Sequence, residues 1–182
     1  MPGDVMNTDV YDGRHTLIIG EVNTGKTRLT EAVLTAWCRQ GRSEEVVVLD
    51  LAPVTGGRIG GRIQRPADFQ GIYRVAEIVP PRLSARTEEE AQTLAAANAQ
   101  AIEKLFQDPH IPGCGILIIN DVTLYLQAGD YDRLRAVVQP IETALINAYY
   151  GSSFPDYRLS RQERRLTDRL IQDFDSIIRL PR

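Results

Sequence analysis

One short stretch decides the fold: Gly20-Glu21-Val22-Asn23-Thr24-Gly25-Lys26-Thr27. It fits the pattern G-x-x-x-x-G-K-[ST], in which two glycines, a lysine and a hydroxyl residue stand at fixed spacing. The apolar run 16–19 precedes it, and apolar residues at helical spacing follow over residues 26–39. A strand, a glycine-containing loop and a helix in this order predict an anion-binding turn at the carboxyl end of a buried strand.

Each position of this loop suits the phosphates of a nucleoside triphosphate. Its two glycines let the backbone turn so that successive N–H groups face inward, and the helix start adds its positive dipole end. Lys26 offers a compact positive charge to the β- and γ-phosphates, and the hydroxyl of Thr27 suits a magnesium ion. We therefore expect ATP and Mg²⁺ here. The predicted binding residues are Gly20, Glu21, Val22, Asn23, Thr24, Gly25, Lys26, Thr27 and Arg28. The Glu21 carboxylate would repel phosphate, so we expect it to point outward.

The lysine of this loop is unusual in the composition of the chain. There are two lysines, Lys26 and Lys104, whereas the other nineteen basic residues are arginine. Arginine is a rigid planar fork that does not replace a point ammonium inside a tight phosphate loop. A lysine at position 26 of so lysine-poor a chain indicates a chemical requirement at that position.

Length and composition predict a single domain spanning residues 1–182. The chain is 43% apolar and 25% charged, with a net charge of −3, and it is long enough to bury a sizeable core. No apolar run is long enough to cross a bilayer, and the polar start lacks a signal-peptide pattern, so we expect a cytoplasmic protein without membrane contact. Cys38 and Cys114 lie too far apart in sequence to form a metal-binding or redox motif.

The order of predicted elements is typical of a parallel α/β fold. Strands are predicted near 15–19, 45–51, 115–121, 143–149 and 176–180, and helices near 26–39, 87–107, 131–138 and 160–174; for 143–149 the pattern also fits a helix. Capping boxes, Thr87 with Glu90 and Ser160 with Glu163, mark the starts of two of these helices. We expect a three-layer fold with a mainly parallel five-stranded sheet, helices on both faces and a brief edge strand at 75–79. The order of the strands stays open.

Polar side chains follow three of the predicted strands. Asp121 ends the run 115–121, Asp50 ends the run 45–51, and Asn147 lies near the end of 143–149. In parallel sheets, ligands bind at the carboxyl ends of strands, so these side chains are candidates for the phosphate site. We expect Asp121 to hold magnesium together with Thr27. Asp50 is the rival, either as a magnesium ligand or as a base that faces a substrate hydroxyl.

Arginines concentrate in two segments. The irregular, glycine-rich insert 58–86 holds six of them against two carboxylates, and four more lie within 158–165. Such arginines could bind a second, phosphate-bearing substrate or a protein partner, and we favour this for 58–86. For 158–165 we favour surface ion pairs with Asp156, Glu163 and Asp168. The mild acidity of the chain argues against a general nucleic-acid coat, although a local basic site is compatible with nucleic acid.

Most of the chain resembles the P-loop NTPase superfamily. Gly20–Thr27 is similar to its Walker A motif, Leu117–Asp121 to its Walker B motif, and Asn147 to its sensor residue. The resemblance implies an α/β core that binds Mg-ATP or Mg-GTP. RecA-like ATPases usually place a glutamate directly after the Walker B acid, where this chain has Val122. The guanine motif N-K-x-D is absent around Lys104, which disfavours GTP.

Two kinase subfamilies are also similar. The loop and the second strand, Gly20–Thr27 and Val46–Pro53, resemble the cleavage-factor type of polynucleotide 5′-kinase, although Ala52 stands where that family has a second acid. Small nucleotide-type kinases carry an arginine-rich lid before the last helix and a substrate segment after the second strand. The two arginine segments of this chain lie in comparable places.

The favoured activity is hydrolysis of the γ-phosphate of Mg-ATP, which a partner could stimulate. The candidate catalytic residues are Lys26, Asp121 and Asp50. The alternative is a kinase that transfers the γ-phosphoryl group to a nucleotide, a polynucleotide or another small acceptor, with Asp50 facing the acceptor hydroxyl. A third hypothesis is a nucleotide-dependent switch or scaffold with negligible turnover.

Overall fold

A six-stranded, all-parallel sheet forms the centre of the computed structural model, which describes residues 6–53, 61–154 and 157–182. The strands are β1 (His15–Gly20), β2 (Val46–Asp50), β3 (Ile72–Val75), β4 (Ile116–Asn120), β5 (Thr143–Tyr149) and β6 (Ser176–Arg179). The helices are α1 (Lys26–Arg39), α2 (Pro81–Ser84), α3 (Glu88–Leu105), α4 (Thr123–Leu126), α5 (Tyr131–Val138) and α6 (Arg158–Asp173), with 3₁₀ turns at Ser43–Glu45 and Ile111–Gly113.

The strands lie in the order β3-β2-β4-β5-β1-β6, and every neighbouring pair is parallel. This order answers the question that the sequence left open, because β5 separates the strand of the glycine loop, β1, from the acid-bearing strand β4. The predicted α/β fold is confirmed, with six strands instead of five. The additional edge strand is β3, which shares only Val75 with the predicted edge strand 75–79, so that prediction is wrong; residues 76–79 lead instead to Pro80, the N-cap of α2.

Helices cover both faces of the sheet, as predicted. On one face α1 packs Val33, Leu34 and Trp37 against alternate residues of the central strands. On the other face α3, α4, α5 and α6 cover the remaining alternate residues. Because both faces are buried, β2 and β4 are buried along their lengths, which explains their apolar sequences up to the polar last residue. The carboxyl ends of the strands are left as the polar edge of the sheet.

The starts of the two long helices on this face differ from each other. Helix α3 begins as predicted, because the side chain of Thr87 accepts a hydrogen bond from the backbone N–H of Glu90 at 3.1 Å. Helix α6 begins at Arg158, two residues before the predicted Ser160, and has no side-chain cap. The expected Ser160–Glu163 capping box is wrong, since Glu163 is buried and faces Arg82.

Across the described part of the chain, every helix is too short or too polar to cross a membrane. Both cysteines are free thiols, with Cys38 buried in the core and Cys114 partly exposed.

Candidate nucleotide-binding site

The loop between β1 and α1 has the backbone of an anion-binding turn. Asn23 has a φ of 60° and Gly25, which precedes the helix, has a φ of 93°; asparagine and glycine are the residues that tolerate this left-handed region best. Gly20 is needed for a different reason. A Cβ atom at this position would lie 2.8 Å from Thr24 Oγ1 and 2.9 Å from the carbonyl oxygen of Leu180. The loop is therefore packed tightly against the end of β6.

The ammonium of Lys26 lies over the start of this loop. Its Nζ donates hydrogen bonds to the carbonyl oxygens of Gly20 (2.9 Å) and Glu21 (2.5 Å). Burial lowers the pKa of Lys26, whereas the nearby carboxylates of Asp121 and Glu21 act in the opposite direction. The loop thus orients one positive charge, partly removed from water, where phosphate oxygens would be attracted most strongly.

A chain of amide side chains joins this loop to two strands. The hydroxyl of Thr27 donates to Asn120 Oδ1 at 3.3 Å. The amide of Asn147 donates to the same oxygen at 2.8 Å and to Thr30 Oγ1 at 3.0 Å. Sequence reasoning missed Asn120. The sequence signal for Asn120 was a polar residue at the end of an apolar strand, directly before the predicted magnesium ligand Asp121.

The backbone of Asp121 is held by one of these amides, Asn147. The N–H of Asp121 donates to Asn147 Oδ1 at 2.8 Å, and the φ of Asp121, 58°, is rare for a residue other than glycine. Asp121 lines the cavity that also contains Lys26. Burial raises the pKa of Asp121, whereas the Lys26 ammonium lowers it. The structure therefore brings Lys26, Thr27 and Asp121 to one cavity.

Asp50 has a different environment, because its side chain is fully buried and bonded within the protein. Its oxygens accept hydrogen bonds from the backbone N–H groups of Ala52 (3.1 Å) and Ile63 (2.7 Å). They also accept from Tyr73 Oη (2.5 Å) and Asn120 Nδ2 (2.8 Å). These donors attach the returning chain at residue 63 to the end of β2, and Asp50 does not line the cavity.

Glu21 points away from the phosphate side of the loop but is buried, not solvated. It accepts hydrogen bonds from Ser152 N (2.6 Å), Ser153 Oγ (2.6 Å) and Arg182 Nη2 (2.5 Å). These donors hold the pKa of Glu21 well below its usual range. A side chain on Gly151 would collide with this carboxylate, so the turn after β5 is fitted closely to the loop.

The cavity above the loop has a volume of about 580 Å³ and a positive lining. Its charged side chains are Lys26, Arg28, Glu31, Arg62, Arg82 and Asp121. Of the arginines predicted over 58–86, Arg62 and Arg82 line it, Arg74 pairs with Asp108 at 2.6 Å, and Arg65 stacks 4.7 Å from the ring centre of Tyr73. Arg58 lies outside the described residues.

The second arginine segment lines a separate groove of about 760 Å³ beside the turn after β5. Arg164 stacks on Tyr150 at 3.6 Å from the ring centre. The expected ion-pair partners act differently here: Glu163 binds Arg82 from the first segment, and Asp168 accepts a hydrogen bond from Tyr150 Oη at 2.7 Å. Asp156 lies outside the described residues.

These side chains fit a phosphate and magnesium site in their chemistry. No group of three or more histidine, cysteine or acidic residues forms a metal cluster within residues 6–53, 61–154 and 157–182. Magnesium does not need such a cluster in nucleotide sites, because phosphate oxygens and water supply most of its ligands and the protein adds a hydroxyl and one carboxylate. Thr27 and Asp121 are available for these two positions.

Comparison with solved structures agrees with the α/β fold. The chain is similar to the flagellar accessory protein FlaH from Methanocaldococcus jannaschii, with a TM-score of 0.54 and 12% identity over 92% of this chain and 71% of that chain. The chain has the P-loop NTPase fold. At this identity the likeness concerns the fold alone, and it agrees with the predicted α/β fold.

Two further likenesses with this P-loop fold are weaker. One is to a prototypical ATPase from the type III secretion system of pathogenic bacteria, with a TM-score of 0.49 and 16% identity over 94% of this chain and 52% of that chain. The other is to the DnaC helicase loader, with a TM-score of 0.44 and 11% identity over 97% and 84%. No protein-family model matches the sequence, and the search of curated proteins found no match.

Proposed function

We propose that this protein binds Mg-ATP and hydrolyses its γ-phosphate. The observation that carries the proposal is the convergence of Lys26, Thr27 and Asp121 on one cavity at the start of α1. A cation, a hydroxyl and a carboxylate beside a helix N-terminus are the groups that bind a magnesium-bound triphosphate. The fold supports nucleotide binding in general, and the choice of ATP over GTP follows from the missing guanine motif.

Each residue has a defined task in this proposal. The backbone of residues 20–27 binds phosphate oxygens, and Lys26 neutralises charge on the β- and γ-phosphates. Thr27 and Asp121 hold magnesium, which when bound neutralises the charge that develops on the phosphates. The amides of Asn120 and Asn147 keep Thr27 and the Asp121 backbone in place.

Hydrolysis by the isolated protein is expected to be slow. Val122 stands where RecA-like ATPases carry a glutamate, and its side chain is fully buried in the core. It supplies no group that could activate water. Stimulation by a partner is therefore part of the proposal, and it is supported by Arg62 and Arg82, which line the cavity and could bind a partner or a phosphate-bearing substrate. Two free thiols agree with a reducing, cytoplasmic compartment.

The test compares the only two lysines. Lys26→Ala should weaken Mg-ATP binding about 100-fold by calorimetry, because the ammonium faces the ligand and its loss leaves phosphate charge uncompensated. Lys104→Ala, at an exposed position on α3, is the matched control and should bind like the wild type. Phosphate release measured on the same proteins should fall with Lys26→Ala. Equal affinities in all three proteins would refute the site.

A further inference from the structure

Helix α6 forms one wall of the groove beside the turn after β5, which we call the α6 groove. Its lining includes four exposed arginines of this helix: Arg161, Arg164, Arg165 and Arg169. Residues three and four apart share one face of a helix, so these side chains form a single strip. From Ser160 to Gln172, the limits of the groove along α6, the helix rises about 18 Å. The groove is therefore an elongated positive surface, long enough for several phosphates of one chain.

The two carboxylates that line the α6 groove are engaged by other groups of the protein. Glu163 is buried and accepts hydrogen bonds from Arg82 Nη2 (2.6 Å) and Gln127 Nε2 (3.1 Å). Asp168 accepts a hydrogen bond from Tyr150 Oη at 2.7 Å. Four arginines therefore face two acids in the groove, and positive charge prevails on its surface.

Positive charge continues beyond α6, on the side of the groove where the chain ends. Arg179, the last residue of β6, lies 5.5 Å from the centre of the Tyr150 ring. Arg182 pairs with Glu21 and also donates to Ser152 Oγ at 2.9 Å, although its side chain is 70% exposed. Both Tyr150 and Ser152 line the groove. A polyanion is thus attracted to this surface even though the whole chain has a net charge of −3.

Aromatic rings hold two of the groove arginines by stacking. The guanidinium of Arg164 lies 3.6 Å from the centre of the Tyr150 ring, and that of Arg169 lies 3.9 Å from the centre of the Tyr131 ring. The partly exposed ring of Phe154 lines the same groove. Nucleobases stack on guanidinium planes and on aromatic rings, whereas an acidic peptide offers carboxylates alone. The lining therefore favours a polynucleotide over an acidic protein segment.

We propose that the α6 groove binds single-stranded nucleic acid, whose sugar is deoxyribose or ribose. The exposed arginines bind consecutive phosphates, and a base stacks against Arg164. A single strand fits better than a duplex, because the bases of a duplex are stacked on one another and leave no ring face for Arg164.

The α6 groove adjoins the cavity above the loop. Tyr149 and Phe154 line both of them. The guanidinium of Arg82, which lines the cavity, lies 4.4 Å from the centre of the Phe154 ring and donates to Glu163 of the groove. A strand that contacts Phe154 or Glu163 thus acts on a cation beside the ATP site. The strand is then the partner that stimulates hydrolysis, a role that rests on the proposed function.

The experiment measures binding by fluorescence anisotropy with four labelled probes. Two are single strands of about 12 nucleotides, oligo-dU and oligo-rU, which differ only in the 2′-hydroxyl. The others are a DNA duplex and a polyglutamate peptide of the same length. Both strands should bind more tightly than the duplex and the peptide, and their affinity should fall as salt rises because counterions are released. A saturating strand should raise phosphate release from Mg-ATP about tenfold.

Two variants of α6 separate charge from stacking. Arg165→Gln combined with Arg169→Gln should weaken strand binding about 30-fold and reduce the slope of log affinity against log salt by about 1.4, since each phosphate contact contributes about 0.7. Arg164→Lys keeps the charge but lacks the guanidinium plane, so binding should weaken about fivefold with an unchanged slope. Arg39→Gln, at an exposed position at the end of α1, is the control and should bind strands like the wild type.

The outcomes separate this proposal from the proposed function. A wild type that binds Mg-ATP but neither strand overturns the groove and leaves the proposed function intact, whereas strand binding without ATP binding overturns the proposed function alone. Tighter binding of the duplex or the peptide, or wild-type affinity in the double variant, overturns the groove assignment.

The remaining outcomes concern the details of binding. Wild-type affinity in Arg164→Lys overturns the stacked base, and strand binding that leaves phosphate release unchanged overturns the role as the stimulating partner. A preference for oligo-dU or oligo-rU supports the groove and identifies the sugar of its ligand.

Discussion

Strands β2 and β4 end side by side, with Asp50 opposite Asn120 in the sheet, and the carboxylates at these two ends have different surroundings. Four donors from the protein bond to Asp50, which is fully buried. Asp121, one residue past Asn120, faces the cavity beside Lys26, and burial raises its pKa. The comparison teaches that an acid at the end of a parallel strand is a ligand candidate where it lines a cavity beside a cation, and not where four donors of the protein already bind it.

The largest expected effect on stability comes from removing the carboxylate of Asp50, which four donors of the protein bind. Asp50→Ala should lower the free energy of unfolding by about 3–5 kcal/mol, because four buried donors lose their acceptor together. Chemical denaturation measures this change, and Asp9→Ala, which removes an exposed carboxylate, is the control. A loss below about 1 kcal/mol would mean that Asp50 does not hold the returning chain at Ile63.

Asp121→Asn should reduce activity without reducing stability, the opposite of what is expected for Asp50. The amide keeps the size of the side chain but loses the charge for magnesium, so phosphate release should fall about 100-fold. The free energy of unfolding should stay equal or rise, because burial disfavours the charged form that the substitution removes. Asp132→Asn, at a side chain that is 80% exposed, should change neither quantity. Retained phosphate release would exclude Asp121 from the magnesium site.

The sheet and the loop could be predicted from sequence because their signals are local. An apolar run, the spacing of Gly20, Gly25 and Lys26, and a helical apolar face specify strand, loop and helix without knowledge of distant residues. Parallel strands then bring their carboxyl ends to one edge, which accounts for the placement of Asp121 near Lys26.

Whether the protein itself supplies hydrogen-bond partners for each polar side chain could not be predicted in this way. Asp50 and Asp121 both end apolar runs, and what distinguishes them is a set of donors from Ile63 and Tyr73 that only the tertiary fold supplies. Glu163 shows the same limit. Its spacing from Ser160 favoured a helix cap, whereas the folded protein places Arg82, 81 residues earlier, against it.

Glu163 extends the comparison to a third buried carboxylate. Its expected effect on the free energy of unfolding is smaller and depends on pH. Burial raises the pKa of Glu163 from 4.5 to about 7, and the adjacent Arg82 and Gln127 only partly oppose this. In the unfolded chain the group ionises near its ordinary pKa, so the folded state binds more protons between pH 4.5 and 7. Stability contributed by this group is therefore present at low pH and is lost as pH rises through that interval.

Glu163→Gln resembles the protonated form at every pH and should remove this dependence. Relative to the variant, the wild type should lose roughly 2–3 kcal/mol of unfolding free energy between about pH 4.5 and 7 and then stay level. Urea denaturation of both proteins across this range measures the difference. Parallel profiles would mean that Arg82 fully compensates the buried charge. Glu163 would then belong with Asp50 among the carboxylates that the protein satisfies, in contrast to Asp121, which lines the cavity.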